Sequence, residues 1–142
     1  MGEIALGYSH LSAGDFQSAT EFYTKALEDS IDPMLINMSK SYAGTASLAS
    51  GQYQDALSLS QDVMLFSDKY GFRVFWAWAL VVRGFALAAT GDLSRGLDTV
   101  RRAEKIYLKM NNRWTYAPTQ IFVGTLNTSI STGACSYRRV KG

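Results

Sequence analysis

The sequence predicts an all-α chain built as a superhelical stack of three helical hairpins with a further C-terminal helix closing it. Three observations predict this. Only two of the 142 residues are proline, and runs of alternating polarity are few. Apolar residues recur at helical offsets, as in Phe16, Ala19, Tyr23, Ala26 and Leu27. The phrase "GDFQSATEFYTKAL" from Gly14 is echoed by "GQYQDALSLSQDVM" from Gly51 and by "GDLSRGLDTVRRAE" from Gly91, spacings of 37 and 40 residues. Such periods belong to repeated hairpins, which cannot bury an apolar face alone and do so by stacking.

Each element has a start or a stop signal. A first helix over 3–13 ends at Gly14, because glycine takes the left-handed conformation of a helix end without strain. Asp15 caps a second over 15–30, which carries the stripe already quoted. In "DSIDP", Asp32 is an N-cap and Pro33 sits at the first helical position, where its missing donor costs nothing; a third helix over 33–50 follows. Tyr53, Ala56, Leu57, Val63 and Met64 line a fourth over 52–70, ended by Gly71. The fifth, 73–90, contains "FWAWALVVRGFALAA" and is apolar nearly all round, which predicts burial. Asp92 caps a sixth over 92–110, with Leu93, Leu97, Val100, Ala103 and Tyr107 on one face and Asn111 and Asn112 as its stop. Thr115 caps a seventh over 115–132, with Pro118 in its first turn. The predicted organisation is one domain over 1–132 and a flexible tail over 133–142.

The repeat has an internal logic. Seven residues before each turn glycine stands another, at Gly7, Gly44 and Gly84; five residues after it stands a small residue, at Ala19, Ala56 and Gly96. Small side chains at these positions predict close crossings of the two helices in each hairpin.

This pattern resembles the tetratricopeptide repeat (TPR). The small residue of its first helix matches Gly7, Gly44 and Gly84, and its turn glycine matches Gly14, Gly51 and Gly91. The aromatic that follows matches Phe16 and Tyr53, and the second-helix alanine matches Ala19 and Ala56, with Gly96 in the third copy. Lys40 and Leu80 fill the usual tryptophan position, and the repeats exceed the usual length. The stretch from Phe75 to Tyr107 is similar to the long repeats in regulatory regions of bacterial nucleotide cyclases, predicted ATPases and large transcriptional activators. The resemblance covers residues 1 to about 110 and implies an interaction scaffold or regulatory module. By the ligand-contacting positions of such repeats, the concave groove comprises Tyr8, Leu11 and Ser12, then Met38, Ser41, Thr45 and Leu48, then Trp78, Val81 and Phe85. These side chains are apolar or small, which suits an amphipathic helix or an apolar peptide. An alternative is that Trp76, Trp78 and Phe85 are core beneath the seventh helix. Arg83 among them requires a partner, a carboxylate or helix-end carbonyls.

Chemistry is sparse. One histidine, His10, and one cysteine, Cys135, make neither a metal site nor a nucleophile–base pair, and no phosphate-binding glycine loop occurs. The glycines are spaced for helix packing. The sequence therefore predicts no enzyme, metal or cofactor. A single cysteine forms no internal disulfide and fits a reducing cytoplasm. The longest apolar run is too short to span a bilayer and contains Arg83, so no membrane association is expected.

Charge is unevenly placed along the chain. Residues 1–72 hold three Lys/Arg against nine Asp/Glu; residues 73–142 hold eleven against three. Arg101, Arg102, Lys105, Lys109 and Arg113 form a basic patch on or just after the sixth helix. Two functions follow from different classes: a scaffold for a protein or peptide, self-associating as a homodimer, or a nucleic-acid-binding accessory protein using the basic half. The basic run lacks interleaved aromatic platforms, which disfavours nucleic acid.

Overall fold

The computed structural model describes residues 2–112. Six α-helices run in chain order: α1 (Gly2–Ser12), α2 (Phe16–Asp29), α3 (Pro33–Ala49), α4 (Tyr53–Tyr70), α5 (Arg73–Ala89) and α6 (Leu93–Lys109). The described residues contain no strand. The first six expected helices are present with ends shifted by one residue or so; the seventh, the tail with Cys135, and Arg113 lie outside the described residues.

The helix ends follow from the residues that make them. Asp15 accepts a hydrogen bond from the Ser18 N–H at 3.2 Å, and Asp92 accepts one from the Arg95 N–H at 3.2 Å. Asp32 accepts from Met34 N at 2.8 Å and Leu35 N at 3.3 Å, with Pro33 opening α3. Among the described residues, five helix ends close alike: besides the three repeated glycines, Gly71 (φ 74°) and Asn111 (φ 50°) are followed by N–H groups, of Phe72 and Asn112, that reach back to the Ser67 and Tyr107 carbonyls. Gly14, Gly51 and Gly91 have φ of 81°, 80° and 105°. After each, the next N–H reaches back to the carbonyl five residues earlier: Asp15 to His10, Gln52 to Ser47 and Asp92 to Leu87. This is the Schellman closure, which satisfies carbonyls the helix leaves free.

The short turns return the chain on itself, so consecutive helices pack against one another. The odd-numbered helices also touch, α1 with α3 and α3 with α5. Antiparallel pairing is plain in α5 and α6: Ala77, Leu80 and Val81 cluster with Ala103 and Tyr107, while Ala88 clusters with Leu97 and Val100.

Small residues act differently in the three expected crossings. At α5–α6 the backbones meet: a Cβ on Gly84 would fall 2.7 Å from the Gly96 carbonyl oxygen, and one on Gly96 would fall 2.5 Å from that of Gly84. At α1–α2 the nearest neighbour of Gly7 is the Tyr23 ring, at 2.6 Å from such a Cβ. At α3–α4 a Cβ on Gly44 would meet Leu59 at 3.5 Å and Val82 at 3.7 Å, an ordinary contact. Gly44 therefore has room for a methyl group.

The core is divided accordingly. Ile4, Ala19, Tyr23, Ala26, Ala43 and Ala46 form one cluster over α1, α2 and α3. Further clusters join α5 to α6, and Ala56, Val82 and Ala86 connect α4 to α5. The α3–α4 pair buries an unusual share of polar side chains: Asn37, Ser39, Ser41, Ser47, Ser60 and Ser67. Two of these side chains bond within their own helix, while Ser39 Oγ and Asn37 Oδ1 have no hydrogen-bond partner among the described residues. Ser41 Oγ donates to the Asn37 carbonyl at 2.7 Å and Ser60 Oγ to that of Leu57 at 2.8 Å, while Asn37 Nδ2 donates across to Ser67 Oγ at 2.8 Å.

Candidate functional site

The residues expected to line a groove come from α1, α3 and α5, the three helices that touch as a row. Tyr8 projects from α1 with 54% of its surface exposed. Its ring lies against Tyr42 of α3, 5.7 Å between centroids, and Tyr42 in turn stacks on buried Tyr23 at 5.6 Å. Offset and tilted pairs at such distances are favourable, so the exposed ring stands on a packed aromatic base. Burial pushes the Tyr23 phenol well above its usual range, with the neighbouring Tyr42 and Tyr8 adding to the effect. Burial raises Tyr42 too, and Tyr8 contributes.

Farther along the row, Trp78 of α5 donates its indole N–H to Thr45 Oγ1 of α3 at 3.0 Å. The Thr45 hydroxyl donates its own proton to the Ser41 carbonyl at 3.0 Å, so it serves as donor and acceptor at once. The indole is thereby oriented by α3.

The ten expected groove residues divide by exposure. Tyr8 and Ser12 are exposed, and Leu11, Met38, Thr45, Leu48, Trp78 and Phe85 are half-buried. Ser41 and Val81 are buried at 4% and 2%, Val81 within the cluster that includes Ala103 and Tyr107. Leu11 and Met38 pack on the N-terminal cluster, Leu48 and Trp78 on the Ala56–Val82–Ala86 cluster, and Phe85 on the clusters toward α6. Tyr42 joins Tyr8 without having been expected at the site. The signal was present: Met38, Tyr42 and Thr45 are spaced four and three apart, one helical face.

Other polar side chains find partners that spacing did not name. Arg83 is half-buried rather than enclosed, and its Nη1 donates to Gln61 Oε1 at 3.4 Å, a neutral amide in place of the expected carboxylate or carbonyls. A long aliphatic stem lets the guanidinium reach the edge of α4. His10 stacks on Phe22 at 5.3 Å between centroids and places Nδ1 3.1 Å from Asp15 Oδ2. The Asp15 carboxyl is held below its usual range, chiefly by the hydroxyl and N–H of Ser18 and also by His10. Among the described residues, no three His, Cys, Asp or Glu side chains form a group that could hold a metal. Arg101, Arg102, Lys105 and Lys109 are exposed on α6.

No protein-family model matches the chain, and no curated protein matches it.

Proposed function

We propose that the chain is a noncatalytic protein–protein interaction module. In this reading its hairpins are TPR-like units stacked in a right-handed superhelix, and the row of α1, α3 and α5 receives an amphipathic helix or apolar peptide segment. The observation that carries the reading is the exposed Tyr8 ring standing on Tyr42, in the same row as Trp78 oriented by Thr45. Fixed aromatic rings offer large contact area at little cost in lost rotamer freedom, which is what a peptide-binding surface uses. The 37- and 40-residue spacing of the turn glycines Gly14, Gly51 and Gly91 supports the repeat reading. A reducing cytoplasmic setting accords with a sequence holding one cysteine. No helix among the described residues is long and apolar enough to cross a membrane.

The test is selection of peptides from a random helical library on the full 142-residue chain, with binding measured by titration. Peptides with spaced apolar anchors and affinities on the order of micromolar are expected. Tyr8→Asp should weaken them more than about tenfold, since a charge would replace an apolar anchor. If selected peptides bind the Tyr8→Asp chain as well as the unaltered one, Tyr8 is not part of the site.

A further inference from the structure

Two exposed helix faces repeat the same spacing with opposite charge. On α2, Gln17, Glu21, Thr24 and Glu28 follow one another at intervals of four, three and four residues; on α6, Asp98, Arg102, Lys105 and Lys109 do the same. All eight are exposed. Glu21 and Glu28 are therefore about 10.5 Å apart along their helix axis, and so are Arg102 and Lys109. The Glu21–Glu28 face borders an open groove of about 690 Å³ whose lining includes Phe16 and, from the turn before α4, Ser50 and Gln52. On α6 the basic stripe lies beside Leu108, an apolar side chain left 54% exposed. Among the described residues, Arg102, Lys105 and Lys109 form no ion pair within the chain.

We infer that the α2 groove is a docking site for α6 of a second copy of this chain. Glu21 and Glu28 pair with Arg102 and Lys109 of the other copy, and Thr24 lies opposite Lys105. Equal spacing lets both acidic residues meet a cation whichever way the second helix runs. Lys25 also borders the groove, and it lies beside the acidic stripe rather than on it. The wider charge distribution favours the same contact, since 1–72 is acidic and 73–142 basic. This surface is separate from the α1–α3–α5 row, and the inference stands without the peptide-binding reading.

Sedimentation of the full chain tests it. The expected result is association in about 0.01 M salt that dissociates in about 1 M salt, as the screening length falls from about 30 Å to 3 Å. Arg102→Glu with Lys109→Glu should remain monomeric at low salt, as should Glu21→Lys with Glu28→Lys. An equimolar mixture of the two double variants should associate again, because each supplies the face the other has lost. A chain that stays monomeric at low salt, including one whose α6 instead retards duplex DNA, would overturn the inference. So would association that survives both charge reversals, or two variants that fail to associate when mixed.

Discussion

The Trp78 indole nitrogen lies 3.0 Å from Thr45 Oγ1, and this hydrogen bond joins α5 to α3 across 33 residues of sequence. Thr45→Val keeps the shape of the side chain and removes the acceptor. The half-buried indole then loses its partner, at a cost of about 1 kcal/mol. Trp78→Phe lacks the donor, so a urea-denaturation double-mutant cycle should show a coupling of about 0.5–1.5 kcal/mol between the two positions. Additive effects would mean that the bond contributes nothing.

Gly84 and Gly44 each stand seven residues before a turn glycine, Gly91 and Gly51, yet their substitution should have opposite effects. Gly84→Ala forces a methyl group against the Gly96 carbonyl and the Val100 side chain. A loss of about 1–3 kcal/mol or more is expected, because backbone cannot move aside cheaply. Gly44→Ala places its methyl in ordinary contact with Leu59 and Val82. Helix propensity then favours alanine, and a gain of up to about 1 kcal/mol is expected. Thermal unfolding of both variants measures the contrast; equal effects would deny that α5 and α6 meet backbone to backbone.

Tyr23 predicts alkaline behaviour. Its phenol is raised by burial, and its hydroxyl has no hydrogen-bond partner among the described residues. The folded chain holds this proton more tightly than the unfolded one, so the contribution is complete below the unfolded value of about 10 and is lost as pH rises above it. Tyr23→Phe should flatten the fall in urea midpoint above about pH 10. At neutral pH it should be neutral or stabilising by up to about 1 kcal/mol, since an unsatisfied hydroxyl is removed.

Asp15 predicts the opposite limb. Its carboxyl is depressed mainly by the Ser18 hydroxyl and N–H, then by His10. The stabilisation is present above the unfolded value of about 3.9 and fades as pH falls through the lower folded value. Asp15→Asn keeps a capping oxygen and removes the charge. Its urea midpoint should fall less steeply with acid below about pH 4 than that of the unaltered chain. Identical acid profiles would show that Asp15 is not linked to stability.

Local signals were the legible part of this sequence. Asp15, Asp32 and Asp92 cap the helices they precede, and Gly14, Gly51 and Gly91 turn the chain, because caps and turns depend on a few adjacent residues. The buried stripes through Tyr23, Val63 and Tyr107 followed from periodicity. Relations between helices were less legible. Periodicity assigns a residue to a face without fixing how far one helix slides along another, and it did not mark the Tyr23 ring as the nearest neighbour of Gly7. The candidate surface suffered the same way. Ser41 and Val81 turn inward, while Tyr42, one position round the helix from Ser41, joins Tyr8. No short-range signal marked Trp78 and Thr45 as partners.

In the proposed function, a peptide segment docks on the row of α1, α3 and α5. Mapping backbone amide shifts of the full chain during titration with a selected peptide tests it most directly. Changes should concentrate around Tyr8, Met38, Tyr42, Thr45 and Trp78, with little change along the outer stripe of α6. Changes concentrated on α2, α4 or α6, with the row undisturbed at saturation, would contradict it.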